Sequence, residues 1–252
     1  MEAATTAARP KAAERAIGRT RTKRRKQGPR TPWWMWIAVV AIIIFCLFPF
    51  YWLVNISLKT GGDLQSSKLF PPHPTLKNYK SIFENSDFTK SLLNSAIVSL
   101  VTTVLALLVG SFCAYALARL RMRGKFWLLA FVLTISTFPA IAIAAPLFRL
   151  WSDIGIFNTR IGLIIPYLTF ALPLAIYILV SFFKEIPKDL EEAALVDGAT
   201  RFTAFRKVVI PLAAPGLATA GILTFIAAWN EFLFAVTLTS TPKARTVPAA
   251  IA

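Results

Sequence analysis

The sequence predicts an all-α protein built as a polytopic membrane helix bundle, and two observations support this prediction. Hydrophobic residues make up 56% of the chain and charged residues only 16%, whereas a soluble domain carries about 25% charge. The charges are also segregated. Five long stretches contain no charged residue, and they lie between Arg30 and Lys59, Lys90 and Arg119, Lys125 and Arg149, Arg160 and Lys184, and Lys207 and Glu231.

Each charge-free stretch is long enough to cross a bilayer, whose apolar core needs roughly 20 residues in helical form. We therefore predict five spans, whose approximate bounds are 33–56, 91–118, 126–148, 161–183 and 209–234. Five buried helices of a soluble bundle are the alternative. That interpretation is disfavoured because soluble helices alternate polar and apolar faces, and these stretches do not.

The net charge of +16 is distributed as membrane topology requires and does not indicate nucleic-acid binding. Ten Lys or Arg residues lie in residues 1–30, and the loop 119–125 holds four more without an acid. Basic residues collect on the cytoplasmic flanks of spans. The pattern predicts a cytoplasmic N-terminus, contact with membrane lipid and no nucleic-acid partner.

The chain divides at its first span. Residues 1–30 are rich in Ala, Thr and Arg, so we expect a basic disordered cytoplasmic tail. Residues 31–252 form the predicted membrane domain. Cys46 and Cys113 fall inside predicted spans and His73 in a loop, so no metal site is expected.

The spans carry no internal ionisable residue, and the only acid near one is Glu231. Ion-coupled carriers usually need such groups near mid-membrane, so an ion-coupled secondary carrier is the weaker alternative. A pathway through these helices suits a neutral solute.

No Gly-x-x-x-x-Gly-Lys-Ser/Thr loop occurs, so any nucleotide must bind a partner. No catalytic cluster is evident, and we expect no enzyme. Prolines in the spans are expected to bend them.

The loop 184–207 has the features of a short helix followed by a second one. Pro187 suits the first turn, where its missing donor costs nothing, and Glu191 lies near the positive end of the helix dipole. Gly198 supplies a left-handed stop, and Thr200 can cap the next helix. Residues on one face, Leu190, Ala193, Ala194 and Asp197, include two small alanines that would let another surface approach; an ordinary surface helix is the alternative.

Part of this loop resembles a known family. The segments Glu192-Ala193-Ala194-x-x-Asp197-Gly198-Ala199 and Val208-x-Ile210-Pro211-Leu212-x-x-Pro215-Gly216 are similar to the EAA loop of binding-protein-dependent ABC importers. Two further stretches resemble the carbohydrate branch, with maltose- and trehalose-type permeases. They are Phe70-Pro71-Pro72-x-Pro74-Thr75-Leu76-x-Asn78-Tyr79 and Trp229-Asn230-Glu231-Phe232.

The resemblance implies a type I ABC importer permease in a bacterial inner membrane. It also implies that the loop is a coupling helix docked on a cytoplasmic ATPase dimer, which binds ATP and Mg²⁺, so that this chain needs no cofactor. The residues implied at that joint are Glu192, Ala193, Ala194, Asp197 and Gly198. The other implied partners are a second, homologous permease subunit and an extracytoplasmic sugar-binding protein.

For the solute we predict contacts from Trp229, Asn230 and Glu231, because an aromatic face beside amide and carboxylate groups suits a sugar ring. A maltose- or trehalose-like disaccharide is expected, with another neutral solute as the alternative. Six spans are usual in the family. Since five are visible before Ala252, the sequence is expected to be truncated before the last one.

Overall fold

The computed structural model describes residues 32–252, so the predicted basic tail at 1–30 lies outside the described residues. Every regular element within 32–252 is helical, which confirms the predicted all-α class. The described residues separate into two compact units, residues 32–75 and residues 76–252.

The first unit contains one long helix, α1 (Trp33–Ser57), followed by a loop with a 3₁₀ turn at Gly61–Asp63. Most apolar side chains of α1 are exposed, as suits a helix that crosses a membrane. The loop is held by Lys59, whose buried ammonium donates hydrogen bonds to the carbonyl oxygens of Ser66 (2.7 Å) and Lys68 (3.3 Å).

The second unit contains eleven helices and one π-helical turn. In chain order they are α2 (Lys77–Glu84), α3 (Ser86–Arg119), α4 (Lys125–Ser136), α5 (Ala140–Asp153), α6 (Arg160–Glu185), α7 (Lys188–Val196), α8 (Arg201–Ala204), the π turn (Phe205–Val209), α9 (Ile210–Leu212), α10 (Ala214–Trp229), α11 (Leu233–Leu238) and α12 (Val247–Ala250).

The core of this unit is the packing of α3 against α6, with α10 against both. Small residues permit this close approach, as is usual between membrane helices: a Cβ added to Gly110 would lie 3.5 Å from the Cβ of Ala175. The contact of α10 with α6 is tighter. A Cβ at Gly216 would lie 2.4 Å from Cγ of Phe182, so only glycine fits there.

Three predicted spans are confirmed as unbroken helices long and apolar enough to cross a membrane: α1, α3 and α6. The other two are not straight. The span predicted at 126–148 breaks between α4 and α5 with a 79° bend, and Pro139 begins the second half. The span predicted at 209–234 bends by 75° near Ala213 and its helix ends at Trp229. Five crossings therefore require each bent pair to act as one span.

Prolines differ in their effect from one span to another. Sharp bends coincide with Pro139 and with the Pro211 and Pro215 region, as predicted, whereas α6 remains helical through Pro166 and Pro173. Both prolines of α6 are buried among its neighbours. Neighbouring helices can compensate for a lost backbone hydrogen bond, so an interior proline in a packed membrane helix need not end it.

Candidate functional site

The first half of the 184–207 loop forms α7, as predicted, but Pro187 lies one step earlier than expected. It precedes the helix as its N-cap residue, with φ −56° and ψ 132°. The extended ψ is typical of a cap residue and not of the first turn. Asp189 and Glu191 lie in the first turn of α7, where the helix dipole favours negative charge.

The predicted left-handed stop at Gly198 is confirmed, with φ +86°. The Gly198 N–H donates to the Leu195 carbonyl oxygen (3.1 Å), and the Ala199 N–H donates to that of Ala194 (3.0 Å). Bonds of this kind satisfy the last carbonyls of a helix. A side chain at position 198 would strain this turn.

The second helix also begins as predicted. The Thr200 hydroxyl accepts a hydrogen bond from the Thr203 N–H (3.2 Å) and caps α8. The chain then passes through the π turn into α9 and the bend near Ala213. Single π turns inside helices are frequent at functional sites.

The predicted contact residues of α7 lie on an open surface. Glu192, Ala193, Asp197 and Gly198 are exposed, and Ala194 is half-buried. Apolar neighbours are exposed as well, with Val196 87% accessible and Leu190 46%. An exposed helix with alanines and uncovered aliphatic side chains is a surface that another protein can approach closely.

The contacts that fix α7 were not foreseen from the sequence. Glu191 forms an ion pair with Arg119 at the end of α3, with 3.5 Å between Nε and Oε2, and the two side chains are only 3% and 12% exposed. Arg119 Nη2 also donates to the Ile186 carbonyl oxygen (2.7 Å). The Tyr115 hydroxyl donates to Glu191 Oε1. These contacts attach both the start and the first turn of α7 to α3.

Two of these residues carried a weak signal in the sequence. Tyr115 and Arg119 are four residues apart, so they share one face of a helix. The sequence nevertheless presents Arg119 as one of several flanking cations, and nothing local joins it to a distant acid. Only the fold identifies that acid as Glu191.

An aromatic cluster supports the second half of the loop in the same way. The ring of Phe205, in the π turn, lies 4.8 Å from Tyr115, 5.3 Å from Phe112 and 6.3 Å from Phe183 between centroids. Phe112 and Tyr115 belong to α3 and Phe183 to α6. Both halves of the loop therefore rest on the end of α3.

A cavity of about 540 Å³ opens beside α7. Its lining is mostly charged and consists of Arg119, Leu120, Arg121, Met122, Lys188, Glu191, Glu192, Leu195 and Arg201. These residues come from α7, from the start of α8, from the end of α3 and from the loop that follows it. α7 is thus accessible along this cavity as well as on its outer face.

The predicted solute residues lie together where α10 ends, but they do not converge on one site. The Trp229 ring is 5.7 Å from that of Phe225, and the Asn230 amide donates to the Ile226 carbonyl oxygen (2.8 Å). The Glu231 carboxylate accepts from the backbone N–H groups of Phe234 (2.9 Å) and Ala235 (3.2 Å). Glu231 therefore caps α11, a role that sequence reasoning missed.

Glu231 also borders a small cavity of about 140 Å³. Its other lining residues are Ala140, Tyr167, Phe170, Ala171, Ala227, Ala228 and Phe234. Trp229 and Asn230 are not among them. The volume is a few times the roughly 30 Å³ that one water occupies in the liquid, too small for a disaccharide.

A third polar cluster lies at the opposite end of α3 from α7, and sequence reasoning missed it as well. The buried Asn94 amide donates to the carbonyl oxygens of Pro242 and Arg245 (3.0 Å each), and its Oδ1 accepts from Arg160 Nε (2.8 Å). The neighbouring Ser95 hydroxyl accepts from the Val247 N–H (2.8 Å). The segment 239–247 is thereby attached to α3.

Asn158 holds the other side of that segment. Its Oδ1 accepts from the N–H groups of Ser240 (3.1 Å) and Thr241 (3.2 Å), and its Nδ2 donates to the Thr241 hydroxyl (2.7 Å). Asn158 has φ +56°, a left-handed conformation that asparagine tolerates better than most residues. The segment 239–247 is therefore ordered by side chains from two other parts of the chain.

The fold combines several membrane-spanning helices with an exposed helix that is anchored to them from within, an arrangement that suits a membrane transport subunit. Residues 106–251 match the family described as binding-protein-dependent transport system inner membrane component. The chain belongs to this family of ABC importer permeases, which are transport subunits and not enzymes.

Relatives support the same assignment over most of the chain. The trehalose transport system permease protein SugB of Mycobacterium tuberculosis (strain CDC 1551 / Oshkosh) is 49% identical over 218 residues, covering 86% of this chain and 80% of the relative. The sulfoquinovosyl glycerol transport system permease protein SmoH of Agrobacterium fabrum is 42% identical (85% and 76% covered). The trehalose/maltose transport system permease protein MalG of Thermococcus litoralis is 38% identical (86% and 78%).

Solved structures agree with this fold. A chain of a bacterial ABC transporter involved in the import of the acidic polysaccharide alginate superposes with a TM-score of 0.72 at 28% identity, covering 86% of this chain and 78% of that one. A bacterial alginate ABC transporter in complex with an alginate pentasaccharide-bound periplasmic protein gives 0.59 at 17% identity, covering 85% and 79%, which supports the fold alone.

Proposed function

We propose that this chain is one membrane-spanning subunit of an ATP-driven sugar importer and forms half of the translocation pathway. The observation that carries the proposal is the exposed face of α7, anchored to α3 through Glu191 and Arg119. A helix that presents small and apolar side chains outward on a fixed base suits transmission of force from a partner. The relatives' sugar substrates support the choice of solute.

The proposed partner of α7 is a dimer of cytoplasmic ATPase subunits, which bind ATP and Mg²⁺. Glu192 makes polar contacts with the ATPase, and Ala193 and Ala194 allow its surface to approach. Asp197 and Gly198 shape the turn that follows. A second, homologous permease subunit completes the pathway, and an extracytoplasmic sugar-binding protein delivers the solute.

The proposed orientation places the N-terminus and α7 in the cytoplasm of a bacterial cell, with the helices in its inner membrane. The loop after α3 supports this orientation because residues 119–125 contain four basic residues and no acid. The segment 239–247 then lies on the extracytoplasmic side, since it packs at the other end of α3. Residues 1–30 serve as a basic cytoplasmic tail.

For the solute we assign Trp229 and Asn230 to direct contact and Glu231 to positioning. The Trp229 ring offers an apolar face, and Asn230 offers an exposed amide for hydroxyl groups. The carboxylate of Glu231 is held by two backbone N–H groups and fixes the turn between α10 and α11. A trehalose- or maltose-like disaccharide is the proposed cargo.

Reconstitution tests this proposal. The chain, its second permease, the ATPase dimer and the binding protein are assembled in lipid nanodiscs, and ATP hydrolysis is measured with a panel of sugars, amino acids and polyamines. Stimulation by a disaccharide is expected. Stimulation by a non-sugar solute alone would overturn the cargo, and a basal rate of ATP hydrolysis that no loaded binding protein raises would overturn the coupling role of α7.

A further inference from the structure

α3 carries buried polar anchors at both of its ends. Near its start, Asn94 and Ser95 bind the backbone of the segment 239–247. At its end, Tyr115 and Arg119 bind α7. Asn94 and Ser95 are each 1% exposed, so these contacts are internal to the fold and not solvated surface groups.

The anchors at the two ends depend on their partners in different ways. Asn94 donates both amide hydrogens and accepts one bond from Arg160. Arg119 donates one hydrogen bond, to the Ile186 carbonyl oxygen, and its buried Nη1 has no partner, so its charge is compensated chiefly by Glu191. Removing one partner from either set leaves a buried polar group unsatisfied, so each end is held strongly in place.

Between the two anchors α3 is one unbroken helix. α3 has 34 residues and no proline, whereas α1 and α6 each contain at least one. From Asn94 to Arg119 the helix rises about 37 Å at 1.5 Å per residue, more than the hydrocarbon core of a bilayer. Its buried face is lined by small residues, including Ala106, Gly110 and Ala114, which fit it closely against α6.

The route along the chain from α7 is less direct. It passes through the π turn, the short α9 and the 75° bend near Ala213 before it reaches α10. The chain can bend at each of these three irregular points, so a displacement of α7 need not reach α10. An unbroken helix fixed at both ends passes displacement from one end to the other.

We propose that α3 is a transmembrane strut that links the segment 239–247 to α7, with Asn94 and Arg119 as the positioning residues at its two ends. The inference rests on the proposed function, which places the first end on the extracytoplasmic side, where the binding protein docks, and the second end beside the ATPase. Docking of the loaded binding protein is then communicated to the ATPase through α3. Because coupling between two binding sites is reciprocal, the nucleotide state of the ATPase also changes the affinity for the binding protein.

The test uses the complete transporter in nanodiscs and compares Asn94→Ala with Arg119→Lys. The lysine keeps the charge but loses the planar fork that reaches both Glu191 and Ile186. Two measurements are made: the stimulation of ATP hydrolysis by the sugar-loaded binding protein, and the change in affinity for that protein on vanadate trapping of the ATPase. Both variants are expected to lower both quantities by about fivefold or more, while the basal hydrolysis rate stays within about twofold of the unmodified transporter.

Matched controls lie on the same helix and on the same loop. Thr89 is on α3 but bonds only the nearby carbonyl oxygens of Phe83 and Asn85, so Thr89→Ala is expected to change neither quantity. Arg123→Ala removes an exposed cation from the loop after α3 and is expected to be equally silent. If Asn94→Ala or Arg119→Lys fails to assemble, Ser95→Ala and Tyr115→Phe test the same two ends by removing a single hydroxyl group each.

The outcomes separate the strut from the proposed function. An unmodified transporter that no sugar-loaded binding protein stimulates refutes the proposed function. An unmodified transporter that is stimulated, with variants that retain full stimulation, refutes the strut alone. The double variant Asn94→Ala/Arg119→Lys tests whether the two ends act through one path. A strut predicts that its loss of stimulation is no greater than that of the worse single variant. Losses that multiply would show that the two ends act independently and would overturn the strut.

Discussion

Arg119 and Glu191 form an ion pair that joins the last turn of α3 to the first turn of α7, with 3.5 Å between Nε and Oε2. Both side chains are nearly excluded from solvent. Glu192, the next residue, is exposed. Two adjacent glutamates therefore differ: Glu191 holds the helix in place, and Glu192 is exposed on the face that we propose for the partner.

Replacing Glu191 with alanine is expected to destabilise the subunit by about 3–5 kcal/mol, because Arg119 would remain buried without its partner. Glu192→Ala provides the matched control, and it is expected to change stability by less than about 0.5 kcal/mol since the side chain is exposed. Thermal unfolding of the purified subunit in detergent measures both. Equal shifts for the two variants would contradict the assigned anchor.

The exposed Glu192 is expected to affect binding of the ATPase and not the stability of the subunit. Glu192→Ala is expected to weaken capture of the purified ATPase by about tenfold, the loss of roughly one charged contact of 1.4 kcal/mol. The measurement is a titration of the ATPase onto nanodiscs that contain the permease pair. A Glu192→Asp variant, which keeps the charge, controls for charge alone, and unchanged affinity in Glu192→Ala would remove this residue from the interface.

Gly198→Val is expected to uncouple ATP hydrolysis from transport while the subunit still reaches the membrane. The backbone at 198 has φ +86°, where a β-branched residue costs about 1–3 kcal/mol, enough to displace the turn after α7. Sugar uptake and ATP hydrolysis are measured together in proteoliposomes. Gly198→Asn is the control because asparagine tolerates this conformation, and normal uptake by the valine variant would be incompatible with a coupling turn here.

Gly216→Ala is expected to separate α10 from α6, since its Cβ would lie 2.4 Å from Cγ of Phe182. Overpacking of this kind costs about 1–3 kcal/mol, which thermal unfolding detects. Gly221→Ala serves as the control, because its Cβ would meet the movable end of Leu107 at 3.2 Å. Phe182→Ala removes the Cγ that lies 2.4 Å away, so Gly216→Ala is expected to cost less stability in the Phe182→Ala background than in the unmodified subunit. An equal cost in both backgrounds would show that the contact is not the cause.

Trp229→Leu and Glu231→Ala are expected to impair transport in distinguishable ways. Loss of the Trp229 ring should raise the sugar concentration for half-maximal uptake, because it removes a direct contact. Loss of the Glu231 cap should lower maximal uptake for every sugar, because it releases two backbone N–H groups at the start of α11. Uptake kinetics with two different disaccharides measure both, and identical kinetic changes in the two variants would contradict the separate roles.

Much of the site was predictable because its chemistry is local. The stop at Gly198 and the cap at Thr200 depend on residues within about five positions, so the sequence pattern alone indicates them. The break at Pro139 follows from local chemistry too. In contrast, the passage of α6 through Pro166 and Pro173 depends on the helices packed around them.

What the sequence by itself determined is therefore the class of the protein: the charge-free spans, the distribution of basic residues and the short helix at 188–196. The tertiary structure alone decided which side chains meet. Glu191 accepts a hydrogen bond from Tyr115, 76 residues away in the sequence, and Asn94 donates one to the Pro242 carbonyl oxygen, 148 residues away. The physical reason is that helix ends and turns are set by neighbours along the chain, whereas buried polar pairs form only when packing brings distant helices together and removes their alternative, water.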